Sequence, residues 1–176
     1  MSPSKRTRLA FETHLLSSWG MDTYDVTAKR DGEDIGVLEL TIDSEKGAIK
    51  DCNVEVKELE RNRGILSQLA RYALADMERR YRNITSFRID IENERTLSIV
   101  RDVLSSAGFS ITYTDVLGVE ISAEEALCLL QEERERGNFA DTTEIFDDSG
   151  SEETRRLLAA VTVTGKRELK TTQDKK

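Results

Sequence analysis

Residues 59–69, L-E-R-N-R-G-I-L-S-Q-L, set two arginines and a glycine directly before an apolar helical stripe. A loop that opens a helix leaves free backbone N–H groups pointing at one spot, and the positive end of the helix dipole reinforces them. Such a spot attracts phosphate. Arg61 and Arg63 would add positive charge on flexible stems, and Gly64 lets the backbone approach a ligand closely. The pattern R-x-x-G is short and recurs by chance in arginine-rich chains. Its position, after an alternating strand and before an amphipathic helix, is what makes it a phosphate-binding candidate. The competing reading is a charged turn with a helix behind it.

Other groups with chemical potential are few. Asp51 and Glu55 lie out of phase with the apolar face of their strand, where they serve either as a general base or as its solvated side. Tyr113 is either a proton donor on a closing strand or a core-edge aromatic. His14, the only histidine, has no Cys or Asp at a ligand spacing and reads as structural. Cys52 and Cys128 sit far apart, one in a strand and one in a helix. They suggest neither a metal site nor a disulfide framework, and they fit a reducing cytoplasm. Arg79, Arg80 and Arg82, with Arg88 nearby, complement the C-terminal dipole of the helix that carries them. Tyr81, which lies among them, belongs to the helix's apolar stripe, so no aromatic platform for nucleic acid interleaves with them.

Periodicity predicts the elements that hold these residues. Residues 5–18 read as a helix with Leu9, Phe11, Leu15 and Leu16 toward one side and Gly20 as its stop. Three strands follow, carrying Tyr24, Val26 and Ala28, then Gly36, Leu38, Leu40 and Ile42, then Cys52, Val54 and Val56. Turns at 31–34 and 43–47 make them an antiparallel meander. Leu66, Leu69, Ala70, Ala73, Leu74, Met77 and Tyr81 recur at helical spacing over 64–81, which places Leu66 in the core. Phe87, Ile89 and Ile91 mark a strand, and the unit over 48–91 implies a parallel pair joined by a right-handed crossover. A helix over 93–106 buries Leu97, Val100, Val103 and Leu104 and ends at Gly108. Ile111, Tyr113, Val119 and Ile121 form one or two closing strands.

The C-terminal part reads as separate. S-A-E-E at 122–125 is a capping box for a helix reaching Gly137. Residues 138–151 form an acidic connector, 152–160 a short helix, and T-G-K-R-E-L-K-T-T-Q-D-K-K a disordered basic tail. The expected division is therefore a domain over 1–121 and an acidic helical extension over 122–176. With 26 basic and 34 acidic residues, net charge is −8, which argues against nucleic acid as a partner. The excess is uneven: residues 124–153 hold 11 acidic groups against Arg134 and Arg136. That stretch is a candidate for docking a basic partner or the arginines of its own core. No apolar run is long enough for a membrane span of about 18 residues. The N-terminal M-S-P-S-K-R-T-R lacks the apolar core of a secretory signal.

The order of elements, with R61-N62-R63-G64-I65-L66 after V54-E55-V56, resembles the GNAT superfamily of acyl-CoA-dependent N-acyltransferases. That family places a (Q/R)-x-x-G-x-(G/A) motif between its fourth strand and the following helix, where backbone amides bind the pyrophosphate of acetyl-CoA. Asn93 and Gly108-Phe109 resemble the family's asparagine at a helix start and Gly-Phe at its end. The resemblance covers about residues 22–121. It implies a mixed, largely antiparallel sheet flanked by helices, acetyl-CoA as cofactor, and a binding set of Val56, Arg61, Asn62, Arg63, Gly64, Ile65, Leu66 and Asn93.

Three positions depart from the family pattern. Leu66 stands where Gly or Ala is usual. Asn93 to Gly108 is longer by about one helical turn, or roughly 3.6 residues. The family's proton-donating tyrosine would fall near Val100 or Leu104. Two functions follow from the resemblance: a cytoplasmic N-acyltransferase for a small-molecule or protein amine, or a catalytically inactive module acting through protein contacts. In either, residues 122–160 are the candidate surface for a homodimer or protein partner.

Overall fold

The computed structural model describes residues 9–135 and 161–169. These contain eight strands and three α-helices, the α/β class expected, in two compact units that divide between Ile84 and Thr85. Within each unit every described strand pairing is antiparallel.

In the first unit β1 (Ala10–Ser18), β2 (Met21–Arg30), β3 (Glu33–Asp43) and β4 (Ala48–Val56) lie side by side in that order. The meander is where alternation placed it. β1 is a correction: of the segment 5–18 read as a helix, Ala10–Ser18 is a strand, paired from Ala10↔Lys29 to Ser18↔Met21. The turn decides this. Trp19 and Gly20 both take positive φ, 52° and 80°, the two-residue geometry whose twist matches a hairpin. Asp31 and Gly32 repeat it between β2 and β3, with φ of 54° and 86°.

One face of this sheet buries Tyr24, Val26, Ala28, Leu38, Leu40 and Ile42. Against it lies α1 (Ile65–Arg80), which contributes Ile65, Leu69, Ala73, Leu74 and Met77. Gly36 permits the close approach, since a Cβ there would sit 3.2 Å from Ile65 Cγ2, Leu69 Cδ1 and the Glu55 carbonyl. Phe11 of β1 stacks on Tyr72 of α1 with centroids 4.6 Å apart. A fully buried leucine such as Leu69 contributes about 2–3 kcal/mol by burial.

The second unit contains β5 (Ser86–Ile91), α2 (Glu94–Ser106), β6 (Ser110–Thr114), β7 (Glu120–Ile121), α3 (Ala123–Glu135) and β8 (Val161–Lys166). Its strand order is β5-β8-β6-β7. α2 is capped by Asn93 and stopped at Gly108, where Phe109 N–H bonds the Leu104 carbonyl and Gly108 N–H that of Ser105. That pair of bonds is the Schellman motif. The capping box is present: Ser122 N–H donates to Glu125 at 2.8 Å, and Glu125 N–H to Ser122 Oγ at 3.2 Å.

β8 is a second correction. Residues 164–169, expected in a disordered tail, are described, and Thr164 to Lys166 complete a strand between β5 and β6. Val161 and Val163 are fully buried. Arg167 continues the anchoring, donating to the Ala107 carbonyl at 3.0 Å and lying 4.4 Å over the Phe109 ring. The described part of 122–176 falls in the second unit, which begins at Thr85. The acidic connector, the short helix over 152–160 and the last residues lie outside the described residues. β4 and β5, the strands of the expected parallel crossover, belong to different units.

Candidate functional site

The link from β4 to α1 is built by its own backbone. Lys57 N–H returns to the Ile35 carbonyl at 3.0 Å, which ends the strand. A single 3-10 turn, Glu58–Glu60, then reverses the chain, and Arg61 N–H closes it on the Glu58 carbonyl at 3.1 Å. Arg61 Nε donates to the Val56 carbonyl at 3.2 Å, tying the end of the turn to the end of the strand. Asn62 takes φ of 67° and Gly64 φ of 75°, both left-handed. Asn tolerates that region better than most residues, and Gly adopts it without cost.

Gly64 is the N-cap of α1, and no side chain caps the helix. No acidic residue occupies its first turn. The positive end of a 16-residue helix is thus left without an internal anion, and its leading N–H groups have no intrahelical acceptors. The change from left-handed Gly64 to helical Ile65 turns successive N–H groups toward one concavity. A Cβ on Gly64 would meet only Gln68 Nε2, at 4.0 Å, so no other atom crowds the space beside this residue. The donors and that space suit a phosphate group.

Ile65, at 2% exposure, is the apolar anchor of the first turn. This corrects the reading of Leu66 as the core residue: Leu66 is half-buried. The helix turns about 100° per residue, so one of two adjacent leading residues faces the sheet, and it is Ile65.

Sequence reasoning passed over Glu60. Its side chain, 15% exposed, pairs with Arg30 from the end of β2 and lies 3.4 Å from Arg63 Nη1. Arg61 and Arg63 therefore help to build the loop as well as to charge it. The signal was the i,i+3 spacing of Glu60 and Arg63; the Arg30 contact joins residues thirty apart and has no local signature.

Val56 and Arg61 to Leu66 are thus brought together. Asn93 lies in the second unit, and its Oδ1 accepts from Thr96 N–H at 2.8 Å as the cap of α2. Asp51 and Glu55 are exposed on the sheet face away from α1. Tyr113 is buried, and that burial raises its phenol above the ordinary value. Val100 is half-buried and Leu104 buried, and neither side chain carries a proton to give. His14 is exposed on β1 rather than on a helix. Arg79 and Arg80 both pair with Asp76, at 3.1 and 2.6 Å. Among the described residues no group of three His, Cys, Asp or Glu side chains is arranged to hold a metal, and no helix is long and apolar enough to cross a membrane.

Solved acetyltransferases resemble the chain. RimL, a ribosomal L7/L12 alpha-N-protein acetyltransferase in complex with coenzyme A, aligns at 14% identity and a TM-score of 0.48, over 84% of this chain and 62% of that one. A Bacillus subtilis acetyltransferase in complex with CoA aligns at 16% identity and 0.45, over 81% of this chain and 74% of that one. A GNAT-family acetyltransferase from Streptococcus pneumoniae aligns at 16% and 0.45, over 82% and 66%. The chain spans less than two thirds of the RimL chain it matches. No family model and no curated protein matches it.

Proposed function

We propose that the protein is an acyl-CoA-dependent N-acyltransferase that binds acetyl-CoA at the β4–α1 loop and acetylates an amine. One observation carries this reading: α1 starts at a left-handed glycine, with no side-chain cap and no acidic residue in its first turn. The N–H groups of Gly64, Ile65 and Leu66 would donate to pyrophosphate oxygens, and Arg63, largely exposed, would leave Glu60 to pair with them. Val56, Arg61 and Asn62 hold the loop in place, and Asn93 is the proposed neighbour of the pantetheine arm. Bound acetyl-CoA supplies an activated thioester. The acceptor nitrogen attacks its carbonyl, the C–S bond breaks, CoA leaves as the thiolate and the nitrogen loses a proton. The acceptor is a small molecule or a protein amine, and the cytoplasm, which supplies the cofactor and suits two unpaired thiols, is the proposed compartment.

A second reading keeps the fold and drops acyl transfer. The apolar side chains of Val100 and Leu104 favour it, as does the commitment of Asn93 Oδ1 to capping. In that case the protein is a binding module working through contacts such as residues 122–160. α3 already spends Ala126 and Leu130 inside its own unit.

Calorimetric titration with acetyl-CoA tests the enzyme reading. Micromolar binding that weakens about tenfold or more in Arg61→Glu/Arg63→Glu supports the site. Absence of heat at millimolar ligand would sink the enzyme and leave the module. Release of free CoA thiol on adding amines then separates the enzyme from the module.

A further inference from the structure

The first unit's sheet has a second face, and its chemistry differs from the face under α1. In register, His14, Asp25, Glu39 and Asn53 form one row across β1 to β4, with Glu12, Thr27, Val37 and Glu55 beside it. Leu16, Thr23, Thr41 and Asp51 make the row on the other side. Among the described residues the lysines paired on this face are Lys29, 2.8 Å from Glu12 and 3.4 Å from Asp34, and, at its end, Lys46, 3.6 Å from Asp43, which stands opposite Met21. Asp25, Glu39, Asp51 and Glu55 have no such partner among the described ion pairs. Asp25 sits between His14 and Glu39, and one of its carboxylate oxygens is buried without a hydrogen-bond donor.

The same face becomes apolar toward the β1–β2 turn. Leu16 is 70% exposed and Met21 37%, and Trp19 at the turn is fully exposed. Large apolar side chains left in water toward one end of a sheet face mark protein contacts. From the geometry we infer that this outer face of the β1–β4 sheet docks a basic polypeptide segment, its Lys and Arg side chains on the carboxylates and an apolar side chain against Leu16, Trp19 and Met21.

Charge selects this occupant over others. A second copy would bring carboxylates against carboxylates, and nucleic acid or an anionic membrane would be repelled in the same way. A single small amine is also a poor fit. Four strands at about 4.8 Å and three rows at about 7 Å spread the charges over roughly 14 Å in each direction. The face is a flat sheet surface with an apolar end, which an extended or helical peptide covers. The inference is independent of acetyl-CoA binding.

The test measures anisotropy of a fluorescein-labelled peptide, K-R-L-K-R-L-K-R-L, against the full chain. Its controls are the same peptide with Glu for each Lys and Arg, and spermidine as competitor. Asp25→Asn/Glu39→Gln/Glu55→Gln should weaken binding about tenfold or more and flatten its salt dependence. Trp19→Ala should weaken it several-fold and leave the salt dependence unchanged. Circular dichroism confirms that each variant is folded. A second triple variant, Glu120→Gln/Glu124→Gln/Glu135→Gln, removes equal charge elsewhere. An equal loss in that variant would show attraction to net charge alone and overturn the inference. So would equal binding of the acidic peptide, full displacement by equimolar spermidine, or a doubled light-scattering mass that Trp19→Ala returns to one chain.

Discussion

Tyr24 Oη donates a 2.7 Å hydrogen bond to Asp76 Oδ2 across 52 residues of sequence. It joins the middle of β2 to the last turns of α1 within the core. Arg79 and Arg80 reach the same carboxylate from one turn further along the helix, and Arg80 also lies 5.9 Å over the Tyr24 ring. Burial of the carboxylate raises its pKa, but the hydrogen bonds from Arg80 and Tyr24 and the charge of both arginines outweigh that and leave it lowered. Tyr24 shifts upward, through burial first and then through Asp76.

The first prediction concerns acid. A lowered carboxylate pKa contributes stability that is complete above the unfolded value, about 3.9, and is lost as pH falls through the folded value. Urea midpoints should therefore fall steeply below about pH 4 in the parent. They should fall less in Asp76→Asn, which at pH 7 should already be destabilised by about 2–4 kcal/mol because two arginines lose their counter-charge and one of the two accepting oxygens becomes an NH2 donor. Parallel curves would remove Asp76 from this role.

A pair of substitutions separates the two leading residues of α1. Ile65→Ala should cost about 2–4 kcal/mol in unfolding free energy, as a buried aliphatic truncation does. Leu66→Ala should cost under about 1 kcal/mol and leave acetyl-CoA affinity equal or improved in calorimetry. A larger loss at 66 than at 65 would reverse the assignment.

Gly64→Ala isolates conformation from packing. The added methyl meets open space, so the cost is the left-handed φ alone, about 1–2 kcal/mol by thermal or urea melts. Ligand affinity should drop by more than that loss of stability explains, because the methyl enters the proposed phosphate space.

Gly165→Ala makes the opposite case in β8. Its Cβ would fall 2.1 Å from the Phe87 ring, so the strand and the ring cannot both stay in place. We expect a loss above about 3 kcal/mol or failure to fold, read from yield and near-UV circular dichroism.

The two thiols should differ in alkylation. Burial pushes the Cys52 thiol up to about 12, with a smaller push from Asp51, whereas Cys128 is exposed. Iodoacetamide at mildly alkaline pH should label Cys128 alone in peptide mass spectra, since the thiolate is the nucleophile. Equal labelling would contradict the packing of Cys52 against the α1 face.

Local chemistry alone determined much of this protein. Alternation placed β2, β3 and β4, Asp31-Gly32 marked the hairpin between the first two, and Ser122 with Glu125 marked the start of α3. In each case the signal lies within a few residues of the structure it produces. β1 was misread because Leu9, Phe11, Leu15 and Leu16 satisfy a helical spacing loosely. Only pairing with β2, enforced by the Trp19-Gly20 turn, makes those residues a strand. β8 carried its own alternation in V-T-V-T, but it is separated from β5 and β6 by a long acidic stretch, and pairing across such a distance leaves no mark in sequence. The loop at 61–64 divides in the same way. Arg61, Arg63 and Gly64 were legible as a phosphate candidate. Tertiary contacts decided that Ile65 rather than Leu66 faces the core, and that Glu60 holds Arg30 and Arg63 together. Burial and ion pairing depend on which distant residues meet, and only the folded chain brings them together.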